Sequence, residues 1–245
     1  YKIRNIKFDI IHSNGSVIDL GAFISYTRKV KHVWHLREFG DIDFNLHPLL
    51  GKRYEKWIYK KAEAFIAISD IIKKHFSTII NKDKINLIYN GISPTKYCNI
   101  AKHTNLLTNI CITGVVSEAK NQLEAIKALN LIVNKYQYKQ IHLHIIGNNN
   151  NYYSKKLLNE IRTYKLQDFI TFTGVISNVS EYLSNMDIGL MLSKNEAFGR
   201  VTIEYMFQNI AVIASNTGAN KELIENHKTG LIYDFNNIEM LAQAI

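Results

Sequence analysis

Two carboxylates, Glu196 and Glu204, bracket the run Glu-Ala-Phe-Gly-Arg-Val-Thr-Ile-Glu. Ionised carboxylates only accept hydrogen bonds, so such a pair suits a ligand that offers hydroxyl donors. Ile188 to Leu192 is a short apolar run ending in polar residues, and helical spacing starts at Arg200, which predicts strand, loop and helix. Glu196 then stands in the loop at the carboxyl end of a strand, where open α/β sheets bind ligands. Glu204 falls in the second turn of a helix whose first turn offers unpaired N–H groups to an anion. The chemistry implied is recognition of a ligand carrying both phosphates and hydroxyls. Val201, Ile203, Tyr205, Met206 and Phe207 leave this helix little polar face, so it is expected to be mostly buried. The alternative for Glu204 is therefore a structural ion pair or a cap on a neighbouring turn.

A second phosphate-suited place is Gly114, which ends a predicted strand, with Lys120 opening a helix six residues later. Backbone N–H groups and one point charge hold a diphosphate at such a turn. The alternative is a solvated first-turn lysine. His35 ends the strand Val33-Trp34-His35, and His12 ends an earlier one. Asp41-Ile42-Asp43 is assigned to a loop, and His32 with His35 lacks further ligands at zinc spacing. Neither a Gly-x-Gly-x-x-Gly dinucleotide loop nor a Walker lysine occurs.

These groups need a scaffold, and strand and helix patterns alternate along the whole chain, which predicts parallel sheets. Strands are expected at Phe8 to His12, His32 to Leu36, Ala64 to Ile68 and Asn86 to Tyr89. Between them fall helices from Val17 to Tyr26, from Leu49 to Glu63, and from a cap at Ser69 or Asp70 to about Ser77. Residues 92–108 hold Pro94 and little periodicity, so the domains are drawn as 1–95 and 96–245. The second has strands at Ile110 to Thr113, Ile141 to Ile146, Ile170 to Phe172, Ile188 to Leu192, Ala211 to Ala214 and Leu231 to Tyr233. Its helices are expected near Asn121 to Tyr136, Tyr153 to Tyr164, Val179 to Asn185, Arg200 to Phe207, Asn220 to Glu225 and Ile238 to Ile245. That is a nearly complete doubly wound domain, whereas the first has about four strands.

With 245 residues and 47% hydrophobic content, the chain can bury a sizeable core. It has no apolar run of ~20 residues and no signal-peptide pattern at its start, so a cytoplasmic protein is expected. Cys98 and Cys111 have neither metal nor redox spacing and are expected to stay reduced. The net charge of +9 is uneven: up to Lys96, Lys and Arg outnumber Asp and Glu by 17 to 9, and afterwards by 13 to 12. A basic first part suits nucleic acid, an anionic membrane face or a phosphorylated acceptor. No base-stacking motif accompanies the charge, which sets nucleic acid aside. On the Leu49 helix, Leu50, Tyr54, Trp57 and Ile58 lie opposite Lys52, Arg53, Lys56 and Lys60. Either the helix simply covers the sheet, or its basic surface rests on anionic lipid.

Glu196-Ala197-Phe198-Gly199 followed by Glu204 resembles the Glu, seven residues, Glu motif of the family 4 retaining glycosyltransferases, and the order of the other matches extends the resemblance over most of the chain. The resemblance implies a GT-B fold of two doubly wound Rossmann-like domains facing across a cleft, the first lacking its opening strands and the second its end. It implies a sugar moved from a UDP- or GDP-linked donor to a saccharide or lipid-linked acceptor in cell-surface polysaccharide assembly. Glu204 would then accept from the ribose hydroxyls and Glu196 from the donor sugar. Backbone N–H groups of Phe198, Gly199 and Arg200 would meet sugar and phosphate, and backbone at Gly174 and Val175 would flank the base. Members usually carry Gly-Arg and Lys-Gly at the diphosphate site; here Val115 replaces the Arg and Asn121 the second Gly, leaving Gly114 with Lys120, and Arg200 as a substitute cation. His35 would face the donor from the first domain. His12, with Arg37 or Glu38, would lie on the acceptor side. No metal or other cofactor is implied. Two other functions remain open, a nucleotide-sugar epimerase of GT-B type and a catalytically silent binding module.

Overall fold

The computed structural model describes residues 6–44, 46, 50–94 and 106–245. The chain divides into two compact units, Tyr1–Gly91 and Ile92–Ile245. The expected boundary at 95/96, Cys98 and the expected helix start at Leu49 lie outside the described residues.

The first unit runs β1 Ile10–Asn14, α1 Leu20–Arg28, β2 Lys31–Leu36, α2 Asp41–Phe44, α3 Gly51–Lys61, β3 Ala64–Ala67, α4 Asp70–Phe76 and β4 Ile85–Leu87. Its described strands lie in chain order, all parallel. Successive side chains alternate between faces. His32, Trp34, Leu36, Phe65 and Ala67 are buried, while Val33, His35 and Ile66 on the opposite face stay half-buried. Trp34 anchors the buried side: its ring stacks on Phe65, meets Tyr59 edge-on, and donates its indole N–H to the Gly15 carbonyl at 2.7 Å. Ser69 caps α4 by accepting from the Ile72 N–H at 3.3 Å, as its residue type predicts.

Two expectations here need correction. The first strand lies two residues later than its apolar run suggests, because Ser13 and Asn14 pair through their backbones with Trp34 and His35 whatever their side chains. Asp41 and Asp43 are not in an open loop but in the single turn α2. The Asp43 carboxylate accepts from the Phe39 N–H at 2.8 Å, and Asp41 lies 3.3 Å from the His75 ring nitrogen, so neighbouring groups fix that turn.

The second unit runs β5 Thr108–Thr113, α5 Gln122–Asn130, β6 Ile141–Ile146, α6 Tyr152–Thr163, β7 Ile170–Gly174, α7 Val179–Leu183, β8 Ile188–Met191, α8 Arg200–Phe207, β9 Ala211–Ser215, α9 Asn220–Leu223, β10 Leu231–Tyr233 and α10 Ile238–Ala244. The expected helix to Tyr136 changes to a π-helical turn over Leu131–Lys135. All strands are parallel, in the order β10-β9-β8-β5-β6-β7. The chain therefore winds outward from β5 to β7, then returns to β5's other side and winds the opposite way. The winding direction thus reverses between β5 and β8, the kind of switch point at which open α/β sheets bind ligands beyond the carboxyl ends of their strands.

Packed residues lie on both faces of the sheet, and β8, β9 and β10 are apolar almost throughout, whereas β6 and β7 alternate apolar residues with His142, His144, Thr171 and Thr173. Ile110, Ile112, Leu143 and Ile145 pack with α5 and α6, while Cys111, Met191, Val212 and Tyr205 form the core of the other face. The Cys111 thiol is free and fully buried, and burial pushes it up to about 12, so it stays protonated. Helix α8 is less buried than its composition suggests. Thr202 and Tyr205 are buried, and Val201, Ile203, Met206 and Phe207 remain half-buried. Among the described residues no helix is long and apolar enough to cross a membrane.

Candidate active site

The loops after β5 and β8 leave the sheet side by side where its winding direction reverses. The Lys194 N–H donates to the Ala119 carbonyl at 3.1 Å, tying one loop to the other. Lys120 lays its stem along Gly114, where an added Cβ would sit 3.4 Å from Lys120 Cε. Its ammonium then reaches Glu196, Nζ to Oε2, at 2.8 Å. The other carboxylate oxygen accepts from the Gly199 N–H at 3.2 Å. Gly199, at φ 88°, is the residue from which α8 starts. One turn into that helix, Arg200 Nε lies 3.2 Å from Glu204 Oε1. The two expected cations and two expected carboxylates are thus brought together as two ion pairs at one helix N-terminus.

The Lys120 turn is held from behind by residues that composition and spacing did not single out. Gln122 is completely buried; its amide oxygen accepts from the Ser117 N–H and its amide nitrogen donates to the Val115 carbonyl, both at 3.2 Å. Asn121 adopts φ 56°, the left-handed conformation that favours glycine, and its amide donates to the Glu124 carboxylate. Burial raises the Glu124 carboxyl, and the Tyr233 hydroxyl and Asn121 amide partly offset that. Asn151 donates to the Val116 carbonyl at 2.8 Å, so the polar run after β6 braces the same loop.

Three neighbouring strands close on glycine, with Gly114 and Gly147 just after β5 and β6 and Gly174 the last residue of β7. A Cβ on Gly147 would stand 2.1 Å from the Gly114 carbonyl oxygen, so only glycine allows this approach. The Gly147 N–H donates in turn to the Gly174 carbonyl at 2.9 Å. The repeated strand-then-Gly pattern was a readable signal for Gly147. Gly218 had none: a Cβ there would lie 2.4 Å from the Glu196 backbone nitrogen, and the Ala219 N–H donates to the Glu196 carbonyl at 2.8 Å. Val175 is exposed and Phe198 is buried, so Phe198 serves the loop through packing as well as backbone.

In the first unit, His12 and His35 stack with ring centroids 5.5 Å apart. Burial lowers the His35 ring below its ordinary range, helped by the nearby charges of Arg37 and His12, and its buried Nε2 has no partner among the described residues. Burial thus favours the neutral form of this ring. Arg37 is exposed and reaches Asn14 Oδ1 at 3.4 Å. Glu38 acts locally. Its carboxylate accepts from the Ser16 N–H at 2.7 Å and its carbonyl from the Ser16 hydroxyl at 2.8 Å, which fixes the Asn14-Gly15-Ser16 turn after β1. A cavity of about 250 Å³ lies beside this turn, lined by Ser16, Trp34, Phe39, Tyr54, Glu55 and Tyr59 among others. On α3, Ile58 and Tyr59 face the core, whereas Leu50, Trp57 and the basic residues are exposed. Among the described residues no three of His, Cys, Asp and Glu come together as metal ligands.

The family described as Glycosyl transferases group 1 matches residues 100–245, and Glycosyltransferase Family 4 matches residues 1–96. The O-antigen biosynthesis glycosyltransferase WclY of Escherichia coli is 25% identical over 252 residues, covering 98% of this chain and 69% of the relative. The capsular polysaccharide biosynthesis glycosyltransferase CapH of Staphylococcus aureus is 26% identical over 240 residues, covering 92% and 64%. Among solved structures, HepE of Anabaena in complex with UDP and glucose superposes with a TM-score of 0.81 at 20% identity, covering 96% of this chain and 67% of that one. A glycosyltransferase from Rickettsia africae gives 0.81 at 24% identity, covering 99% and 66%.

Proposed function

Because this chain belongs to the group 1 glycosyl transferases and has their GT-B fold, we infer that it is a retaining transferase that takes a sugar from a UDP- or GDP-linked donor. The acceptor is a saccharide or a lipid-linked saccharide, and the setting is surface polysaccharide assembly, as the names of WclY and CapH suggest by kinship. The observation that carries this reading is the Lys120–Glu196 pair at 2.8 Å beside the Gly199 N–H, with Arg200 and Glu204 one turn along. Together they offer cations for phosphates, carboxylates for hydroxyls, and backbone donors between.

In this reading Lys120, with Arg200 and the α8 N-terminus, neutralises the donor diphosphate, which leaves with the bonding pair as the anomeric carbon–oxygen bond breaks. The acceptor hydroxyl oxygen forms the new bond on the same face and passes its proton to the departing diphosphate oxygen. Glu196 orients the sugar hydroxyls, and Glu204 holds the ribose. Gly174 and Val175 backbone flanks the base. His35, His12 and Arg37 are the first unit's candidates for contact with substrate. Glu38 acts through the Ser16 turn. The exposed cations of α3, around Leu50 and Trp57, suit an anionic membrane surface.

The test is a panel of nucleotide sugars added to the full-length protein, reading thermal stabilisation and then transfer. A ligand present at a hundredfold its Kd adds ~2.7 kcal/mol. The expected result is stabilisation by one donor and its transfer to an acceptor; stabilisation without transfer to any acceptor would mark a silent binder, and no response to the panel would remove the donor reading.

A further inference from the structure

Glu196 is given two jobs by its position, since the group that would orient a sugar already occupies the cation that would hold the phosphates. Its side chain is 16% exposed and that of Lys120 30%, so neither charge has full recourse to water if the pair separates. Nor can Glu196 retreat with its backbone. A Cβ on Gly218 would stand within 2.9 Å of the Glu196 N, Cα and O, so the two backbones lie close, and the Ala219 N–H holds the Glu196 carbonyl. The Gly199 N–H holds the second carboxylate oxygen. Lys120 is the mobile partner, with a flexible stem and three rotatable donors.

We propose that the Lys120–Glu196 pair is an internal competitor for the diphosphate, and that Glu196 thereby discriminates the intact nucleotide sugar from the nucleoside diphosphate left after transfer. This rests on the donor-site reading above. A diphosphate approaching Lys120 must share or remove the cation that neutralises Glu196, leaving a half-buried carboxylate short of a partner, which is costly. An intact donor compensates, because its sugar hydroxyls donate to the same carboxylate. Once the sugar has been transferred, that compensation is gone, and Glu196 recaptures Lys120 from the product. The pair thus favours binding of the substrate and release of the product at one site.

Glu196→Gln is the appropriate perturbation. The amide keeps an oxygen for the Gly199 N–H but loses the charge that holds Lys120. In the full-length protein, Kd would be measured by calorimetry for UDP with UDP-glucose, and for GDP with GDP-mannose. The expected result is a sign reversal: about tenfold tighter binding of the bare diphosphate, with the matching nucleotide sugar bound no tighter or weaker than by wild type. Unchanged or weaker binding of the bare diphosphate overturns the proposal. Equal tightening of both ligands overturns it too, since simple charge repulsion acts on both. Glu196→Asp, which withdraws the carboxylate by one methylene, should shift the same way by a smaller factor and stands in if the Gln variant does not fold. Wild-type protein that binds neither pair of probes overturns the donor-site reading itself, and this inference with it.

Discussion

Replacing Glu204 by alanine separates a structural role from a ligand role, because the structure assigns the two very different magnitudes. In the free protein the carboxylate pairs with Arg200 four residues before it at 3.2 Å, and the Arg side chain is 74% exposed. Exposed pairs of this spacing stabilise by only ~0.3–0.5 kcal/mol, and alanine is the better helix former. We therefore predict a thermal midpoint within a few degrees of wild type. If the carboxylate receives ribose hydroxyls, hydrogen bonds to a charged group contribute ~1.5–3 kcal/mol, which is about a 10- to 150-fold rise in Kd for the free nucleoside diphosphate. Calorimetric titration of UDP and GDP into the full-length variant measures this. Glu204→Gln, which keeps one acceptor oxygen but no charge, should fall between. A Kd within twofold of wild type, in a variant with an unaltered midpoint, would refute the ribose assignment and leave Glu204 as half of a surface ion pair.

Three further outcomes are expected. His32 is buried against the Ser13 hydroxyl, His144 lies between Tyr182 and Asn109, and burial pushes each ring down to about 4. The unfolded chain takes up these protons below about pH 6.5 while the folded chain resists, so stability is complete above that pH and falls towards pH 4 by ~3 kcal/mol per ring; a urea midpoint that stays flat from pH 7 to 4.5 would contradict this. Gly147→Ala forces a Cβ to 2.1 Å from the Gly114 oxygen, so both the thermal midpoint and nucleotide affinity should drop. An unchanged midpoint would show that the strand ends can separate freely. Transfer by the full-length enzyme should survive chelator if, as proposed, Lys120, Arg200 and helix α8 take the place of a cation; loss restored by magnesium or manganese would show otherwise.

Much of the fold is legible because burial on both faces writes itself into composition. Ile141–Ile146, an alternating Ile-His-Leu-His-Ile-Ile closed by Gly147, and Leu231–Tyr233, an apolar run between Gly230 and Asp234, have the bounds their patterns predict. Legibility fails where backbone pairing outlasts the apolar pattern, as at Ser13 and Asn14, or where a distant side chain decides. The α2 turn depends on Asp43 reaching the Phe39 N–H and on Asp41 meeting His75, which propensity alone does not report. Gln122 reads in sequence as an unremarkable helix residue. Only its complete burial and its two bonds to the Val115–Ser117 loop mark it as a support for Lys120.

At the candidate site the residues were readable but their partners were not, since Lys120 and Glu196 lie 76 positions apart. Sequence alone left Glu204 with two competing roles, an ion pair or a ribose contact, and left Lys120 either solvated or on a phosphate. The free protein holds the first role in one case and neither in the other, with all four charges neutralised internally. That does not exclude ligand exchange, because the energetic scale differs from that of a sealed pair. Breaking a fully buried ion pair costs ~3–5 kcal/mol, whereas exposed ones contribute ~0–1 kcal/mol. Lys120–Glu196, at 30% and 16% exposure, falls between these limits, and Arg200–Glu204, at 74% and 28%, falls near the weaker. A ligand should therefore take Arg200 from Glu204 easily and Lys120 from Glu196 only when it supplies something in return. On the proposed donor-site reading, that order of difficulty would put selectivity for the sugar on Glu196 and general nucleotide affinity on Glu204, so the two variants should differ in which ligand they affect, not merely in how much.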